Sequence, residues 1–341
     1  MELQAHRTLP AGLHAGAPLT TVAPVSRGFE LMAPELVAVE RTLGELLHSS
    51  VPAVERISRY LVEAGGKRLR PLLTGLCARA AGHDGPLPRL MCVGELMHLG
   101  SLLHDDVVDD GMERRGRKTA HRVYGNPGVI LTGDFCLARS MWLAAQEGGF
   151  TAVSELGHTA TLMAEGEVLQ LLNAGNLDLD LPTYIEILDK KSAALIAWCA
   201  AAGAWNLQQD EIAACLKRFG HEVGIAFQIT DDVLDYVGDQ RATGKRIGAD
   251  LAEGKMTLPL IFAMERVPGL RETLAQGPLP AAVQPEVLAA VRSSGAPEDA
   301  LAEARSRVEA ALASLDAARL PDTPWRDAVV GLAHHLVERA A

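Results

Sequence analysis

Two segments of the chain carry aspartates at the same spacing. Residues four apart on a helix lie one turn above each other, so each segment would gather its carboxylates on one face. Crowded carboxylates near the end of a helix repel one another, and hard divalent cations relieve that repulsion. One copy has two explanations, a solvated helix end or a magnesium site, but two copies favour a pair of metal clusters that face each other in a helical bundle. The first cluster is Asp105, Asp106 and Asp109 in LLHDDVVDDGMERRG, and the second is Asp231, Asp232 and Asp235 in FQITDDVLD.

Basic residues lie close to both acidic clusters. Alone, each is more commonly a solvated surface charge, but guanidinium and ammonium groups beside metal-binding carboxylates suit the oxygens of a phosphate. In GGKRLRP the two glycines allow close backbone approach to a ligand, and Pro71 suits the first turn of a helix whose N-terminus favours an anion. The sequence therefore predicts a site for magnesium and a phosphorylated ligand. The basic residues are Lys67, Arg68, Arg70, Arg114, Arg115, Lys191 (beside Ser192), Lys245 and Lys255.

The elements that position these residues are predicted to be helices. Hydrophobic residues make up 48% of the 341, led by alanine and leucine, and aromatics only 4%, a balance that favours helix over strand. Apolar residues recur at three- and four-residue spacing from about Pro34 onward. The segment 195–205, LIAWCAAAGAW, is apolar on most faces and is predicted to lie at the centre of a bundle or against a partner subunit. We predict a flexible leader over residues 1–27 and a single all-α domain over 28–341.

Charge and cysteine content limit the function further. The net charge of −11 disfavours nucleic-acid binding, which needs a basic surface. No apolar run reaches the ~18 residues that a membrane-spanning helix needs, and the N-terminal residues do not resemble a secretory signal. The five cysteines show no CxxC spacing, which predicts reduced thiols, no zinc site and a cytoplasmic protein.

Six motifs, in order, resemble those of the trans-isoprenyl diphosphate synthases, or polyprenyl synthetases. The resemblance runs from about residue 35 to the C-terminus. It implies an all-α bundle of the isoprenoid synthase type around a deep central cavity, usually as a homodimer. The implied reaction is a magnesium-dependent, head-to-tail prenyl transfer that joins isopentenyl diphosphate to an allylic diphosphate through an allylic carbocation. The motifs are GGKRLRP, LLHDDVVDDGMERRG, the GD of LTGDF, KSAAL, FQITDDVLD and GKRIGADLAEGKMTLPL.

The resemblance also implies a role for each motif residue. The six aspartates would hold about three magnesium ions that bridge to the allylic diphosphate. Lys191 and Lys245 would be catalytic as well, because they stabilise charge on the leaving group. The released pyrophosphate would accept the proton, so no dedicated protein base is expected. Arg114, Lys191, Ser192, Gln228, Lys245 and Lys255 would contact the allylic diphosphate, and Lys67, Arg70, His98 and Arg115 the isopentenyl diphosphate, with Phe227 near its carbon end.

The chain departs from the family pattern at three positions. Ser192 replaces the commoner threonine, Arg246 stands where many relatives have a proline or a small residue, and Asp110 extends the first motif. None of these changes removes a metal ligand. We therefore expect an active enzyme rather than a silent subunit of a heteromeric synthase.

Product length in this family depends on residues about one turn before the first acidic cluster. Here they are Gly100 and Ser101, whose small size would leave the cavity open, so the all-trans product should have roughly twenty carbons or more, with thirty to forty preferred. A larger residue deeper in the cavity, Met97, Met141 or Trp142, would set the limit. Gly100 has a second explanation, the close packing of two helices.

Three other functions compete with chain elongation. A class I terpene cyclase would share the first acidic motif, but it usually carries a different second motif and does not need GGKRLRP. A phosphohydrolase that binds metal through His104 and Asp105 would need further histidine ligands, and His48, His83, His121, His158 and His221 form no clear set. His104 is therefore predicted to be either a packed residue or a residue that contacts a metal ligand. A helical scaffold without activity would have no reason to repeat the acidic spacing beside basic residues.

Overall fold

The computed structural model describes residues 23–114, 116–238, 247–277, 279–280 and 282–339, with side chains except at 23–25 and 114. Residues 1–22 of the predicted leader therefore lie outside the described residues. Arg115, Lys245 and Arg246 also lie outside them.

The described part of the chain is almost entirely helical, as the composition predicts. One small antiparallel pair interrupts the helices, β1 (Glu113–Arg114) with β2 (Arg117–Lys118). A five-residue π-helical turn, Asp189–Ala193, joins two helices. The helices are α1 (Ala23–Leu31), α2 (Ala33–Leu46), α3 (Pro52–Glu63), α4 (Leu69–Ala80), α5 (Pro88–Val108), α6 (Ala120–Tyr124), α7 (Asn126–Glu147), α8 (Gly149–Leu172), α9 (Leu181–Leu188), α10 (Ala194–Asn206), α11 (Asp210–Val237), α12 (Ala249–Ala252), α13 (Leu258–Met264), α14 (Leu270–Leu274), α15 (Gln284–Ser293), α16 (Ala296–Ala317) and α17 (Pro324–Glu338).

The packed part of the chain begins before residue 28. Helix α1 starts at Ala23, inside the segment predicted as leader, and Met32 directly after it is fully buried. A side chain at Gly28 would meet Leu76 of α4 at 3.3 Å and Ala328 of α17 at 3.8 Å. The first helix is therefore part of the bundle because its apolar face packs on two other helices.

Helix α10 lies at the centre of the bundle, as its apolar sequence predicts. Every residue from Ala194 to Ala204 is buried, and the Trp198 indole donates to the Ala152 carbonyl at 2.9 Å. A side chain at Gly220 of α11 would meet the backbone of Ala197 at 2.6 Å. Small residues thus let α11 approach α10 at backbone distance, and this fixes the direction in which α11 presents its polar face.

Helices α5 and α7 pack antiparallel, which places the end of α5 beside the start of α7. Ser140 donates to the Val93 carbonyl at 2.8 Å near one end of the pair, and His104 contacts the Ile130 carbonyl at 3.0 Å near the other. Gly133, in the LTGDF motif, leaves room for the His104 ring, because a side chain there would overlap it. His104 is a packed residue, which is one of its two predicted roles.

Two further properties follow from the packing. All five cysteines are free and buried, and burial raises the pKa of Cys199 to about 12, so the thiol is protonated and unreactive at neutral pH. Within the described residues, none of the helices combines the length and apolar character needed to cross a membrane.

Candidate active site

The first acidic cluster lies at the C-terminal end of α5. This helix is buried over most of its length, and His98, Ser101 and Asp105 are partly accessible positions at helical spacing on one face. Asp106 is buried, whereas Asp109 caps the helix and is exposed. Neighbouring protein atoms partly desolvate the Asp109 carboxylate and raise its pKa; the carboxylates of Glu167 and Glu253 add to that effect, while Lys255 and Lys191 oppose it. The cluster is therefore a site of unfavourable negative charge.

The second acidic cluster lies in the last turns of α11, and each of its carboxylates has a defined partner. Asp231 accepts from Arg339 Nη2 at 3.0 Å, and Asp232 accepts from the Tyr184 hydroxyl at 2.7 Å. Asp235 accepts from the backbone N–H groups of the first turn of α12, at 3.0 and 3.2 Å. Burial raises the pKa of Asp232 well above its ordinary value, and the charge of Asp250 raises it further. The fold thus holds this cluster in place even though its charges are costly.

Lys255 interacts electrostatically with both acidic clusters. Its Nζ lies 2.7 Å from Glu253 and 3.6 Å from Asp250. Burial alone would lower the pKa of Lys255, but the carboxylates of Asp250, Glu253 and Asp109 raise it above its ordinary value. Lys255 in turn lowers the pKa of both Asp109 and Asp232. Lys255 therefore lies within electrostatic range of one carboxylate from each cluster.

Lys191 and Ser192 lie in the π-helical turn. This turn passes very close to α8, since a side chain at Gly166 would overlap the backbone of Lys191. Lys191 Nζ lies 2.5 Å from Glu167 Oε2, while Glu167 Oε1 is buried without a hydrogen-bond partner. Wide helical turns of this kind are frequent at functional sites. Lys191 also lies within electrostatic range of the first cluster, because its charge lowers the pKa of Asp109.

The basic loop GGKRLRP is held by an arginine that the sequence offered as a ligand. Arg68 adopts a left-handed backbone conformation, with φ of 50°, and its side chain pairs with Glu95 at 2.8 Å and with Glu40 at 2.5 Å. Arg68 is therefore occupied by two carboxylates. Burial lowers the pKa of the neighbouring Arg70, whose Nε has no hydrogen-bond partner, and the charges of Glu95 and Asp231 oppose that effect. Arg70 is thus a desolvated cation near the second cluster.

The last turn of the described chain also reaches this region. The guanidinium carbon of Arg339 lies 4.6 Å from the centre of the Phe227 ring, and Phe227 and Gln228 are partly accessible on the face of α11 that carries Asp231. Burial lowers the pKa of His335, and the charges of Arg339 and Lys67 lower it further. Lys67 and Arg339 therefore both lie within electrostatic range of His335, and Arg339 joins this group to the second cluster through Asp231.

The residues predicted to control product length fall in different places. Ser101 is partly accessible and donates to the His98 carbonyl at 2.9 Å, so it shares the polar face of α5. Met97 is completely buried. A side chain at Gly100 would meet Leu137 at 2.8 Å and the Gly133 carbonyl at 3.0 Å, which favours the packing explanation for that glycine. Trp142 is 47% exposed beside two arginines on the outside of α7, so it does not line an interior cavity of the chain.

The donor set fits hard divalent cations, although the described side chains do not form a complete ion site. Oxygen ligands with raised pKa values gain most from a bound cation, because the cation stabilises their ionised form. Among the described residues, no three His, Cys, Asp or Glu side chains are close enough together to hold an ion. Ions bound here would therefore complete their coordination with oxygens from water or from a ligand.

Four residues at the site were not identified from the sequence as ligands or partners. They are Glu167, Tyr184, Asp250 and Arg339. Asp250 lies inside GKRIGADLAEGKMTLPL and could have been found from that motif. The other three lie outside the six motifs, and no local pattern marks them.

Comparisons with known proteins show which family the chain belongs to. The profile of the polyprenyl synthetase family matches residues 51–288. The octaprenyl diphosphate synthase of Escherichia coli (strain K12) is 37% identical over 319 residues, which cover 91% of this chain and 97% of that protein. A polyprenyl synthase structure from Caulobacter crescentus, complexed with calcium and isoprenyl diphosphate, has a TM-score of 0.88 and 35% identity over 93% of this chain and 98% of its own. A decaprenyl diphosphate synthase structure from Rhodobacter capsulatus has a TM-score of 0.85 and 34% identity, with 93% and 100% covered.

Proposed function

Because the chain belongs to the polyprenyl synthetase family, we propose that its two acidic clusters hold divalent cations that activate an allylic diphosphate for attack by isopentenyl diphosphate. The chain is a trans-polyprenyl diphosphate synthase, a prenyltransferase that makes long products. The matched proteins are synthases of this kind and do not support the terpene cyclase alternative. The main support for the proposal is that the Lys255 ammonium interacts electrostatically with Asp109 of the first cluster and with Asp232 of the second.

The six aspartates would hold the metal, and magnesium is the cation that we propose, at about three ions per site. When bound, these ions would neutralise charge on the diphosphate leaving group. Lys255 is paired with Glu253 and Lys191 with Glu167, and each ammonium group could turn from its carboxylate to the diphosphate oxygens. Ser192 and Gln228 complete the proposed set within the described residues, and Arg114 and Lys245 are proposed from their motifs.

The second diphosphate would bind beside the basic loop. We assign it to Lys67, Arg70, His98 and Arg115, with Phe227 near its carbon end. Arg70 supports this assignment, because its Nε is buried and unpaired, and a desolvated guanidinium binds an anion more strongly than a solvated one. The double bond of this substrate then attacks the allylic cation, and the released pyrophosphate takes the proton.

Exposed apolar residues on the outer faces of α7 and α8 support the proposal that the protein forms a homodimer. Leu131 and Trp142 are 65% and 47% exposed, and their separation of eleven residues, about three turns, places them on one side of α7. Phe150 and Leu172 of α8 are more exposed still, at 85% and 76%. Exposed apolar residues on neighbouring helices are typical of a subunit interface. We also propose a cytoplasmic location, on the buried, free state of the cysteines.

An assay with isopentenyl diphosphate and three allylic primers of increasing length tests the function. We expect product only when both substrates and magnesium are present, with EDTA as the control, and mass spectrometry gives the chain length. Turnover of the allylic diphosphate alone would indicate cyclisation or hydrolysis and would contradict the proposal.

Two neighbouring substitutions test the control of product length. Ser101→Phe places a ring on the accessible face of α5 and should shorten the product, whereas Gly100→Ala should leave product length unchanged. The alanine should instead cost about 1–3 kcal/mol of folding stability, because it overpacks the contact with Leu137. Product chromatography and thermal unfolding of both variants decide the matter. An unchanged product from Ser101→Phe would remove Ser101 from this role.

A further inference from the structure

The segment after α17 reaches the second acidic cluster through one arginine. Arg339 pairs with Asp231 at 3.0 Å, and its side chain is only 14% exposed. The same guanidinium lies over the ring of Phe227, one helical turn before Asp231 on α11. A shielded, charge-assisted contact of this kind is stronger than a surface ion pair. Arg339 therefore occupies a proposed metal ligand in the ligand-free protein.

Asp231 is also the carboxylate of the second cluster that faces the basic side of the site. Its charge acts on the partly buried Arg70, and the charges of Arg339 and Lys67 both act on His335. Lys67, Arg70 and Arg339 thus border one region, and the first two are proposed ligands of the second diphosphate. The negative charge that now balances Arg339 is the one that a metal ion would take.

We propose that Arg339 is a reversible latch, which holds Asp231 in the ligand-free protein and binds the second diphosphate once a divalent cation has displaced it. This inference rests on the proposed function. Arg339 holds one oxygen of the Asp231 carboxylate, and a dication on that carboxylate repels the guanidinium, so metal binding weakens the ion pair and favours release of Arg339. The released guanidinium is a largely desolvated charge without a partner, and an anion beside Lys67 and Arg70 would restore its balance. Phe227 keeps Arg339 within reach, because the cation–π contact does not depend on Asp231.

The latch predicts that substitution of Arg339 strengthens metal binding and weakens the binding of isopentenyl diphosphate. Arg339→Gln removes a cation that competes with metal, so the ligand-free protein should bind Mn²⁺ about tenfold more tightly, which corresponds to about 1.4 kcal/mol. The same change removes a ligand of the second diphosphate, so the KM for isopentenyl diphosphate should rise about tenfold. The KM for the allylic diphosphate should change little. Arg339→Lys keeps the charge and should lie between the wild type and Arg339→Gln in both measurements.

Arg326→Gln is the matched control. Arg326 lies on the same helix, is 24% exposed and pairs with two carboxylates, Asp316 at 2.6 Å and Asp322 at 3.5 Å, neither of them in the site. It should leave both the Mn²⁺ affinity and the KM for isopentenyl diphosphate unchanged.

Calorimetric titration of the ligand-free variants with Mn²⁺, together with steady-state kinetics, tests the proposal. Tighter Mn²⁺ binding with a raised KM for isopentenyl diphosphate in Arg339→Gln supports the latch. Weaker or unchanged Mn²⁺ binding, an unchanged KM, or equal shifts in Arg326→Gln would overturn it. The titration needs no turnover, so it still tests the contact with Asp231 if the wild type fails to consume isopentenyl diphosphate, and that failure would count against the proposed function instead.

Discussion

The first and second acidic clusters have the same aspartate spacing but are built differently. The first ends its helix, and Asp109 at the C-cap is exposed. The second lies on a helix packed against the centre of the bundle, where Asp232 accepts from a buried tyrosine and Asp235 from the first turn of α12. One half of the site is therefore open, and the other is anchored before any ligand arrives.

The anchored half carries the larger electrostatic cost. Burial and the charge of Asp250 hold the pKa of Asp232 well above its ordinary value, although the Tyr184 hydroxyl and the charge of Lys255 oppose them. Such a group lowers the stability of the ligand-free protein in return for a carboxylate that is already in position. Equal spacing of the aspartates therefore does not give equal preorganisation, because the surrounding helices determine how firmly each carboxylate is held.

The largest expected effect is the loss of activity when a metal-binding aspartate is replaced in either acidic cluster. Asp105→Asn and Asp231→Asn keep the side-chain size but remove a charged oxygen ligand, so each should lower kcat/KM by about 10²–10³-fold. Steady-state assays at saturating magnesium measure this. Asp178→Asn, which changes an exposed carboxylate paired with Arg271, is the control and should retain full activity. If one cluster tolerated the change, the two halves would not share a function.

A second prediction concerns folding stability, which should respond differently to substitutions in the two acidic clusters. Asp232→Asn should raise the unfolding free energy of the ligand-free protein by about 1–2 kcal/mol near pH 7 while abolishing activity. The pKa of Asp232 is raised by folding, so its destabilising effect is present above that raised pKa and disappears as pH falls toward the ordinary value. The gain from Asp232→Asn should therefore shrink at acid pH, in thermal unfolding with EDTA.

Asp105→Asn is the comparison for this stability test and should give no such gain. A loss of stability in Asp232→Asn, or a gain that does not depend on pH, would show that Asp232 is not held as an unfavourable charge.

The sequence was sufficient for the fold class and for the position of the charged motifs, because both depend on local pattern. Helical periodicity identified the buried α10, and repeated aspartate spacing located both clusters. The sequence alone could not identify the partners that anchor the second cluster, because Tyr184 is 48 residues from Asp232 and Arg339 is 108 residues from Asp231. Contacts over such separations leave no periodic signal in a single sequence.

Local chemistry also misled at two positions. Arg68 matched a ligand by type and by its place in GGKRLRP, yet two carboxylates from α2 and α5 hold it. Trp142 has the size to close a cavity, but its helix turns it outward between two arginines. In both cases the direction of the side chain was decisive, and direction depends on how the helices pack.

The smallest expected effect concerns the hydroxyl that anchors Asp232. Tyr184→Phe removes its donor, so the pKa of Asp232 should rise further, and activity at pH 7 should fall about three- to tenfold because the ionised carboxylate is less populated. The deficit should narrow as pH increases, since higher pH restores the ionised form. Tyr60→Phe is the control on the side of the first cluster, where the hydroxyl donates to the Lys118 carbonyl at 2.7 Å, and its pH–rate profile should match the wild type. A deficit in Tyr184→Phe that stayed constant across the pH range would mean that the tyrosine shapes the site without setting the charge of Asp232.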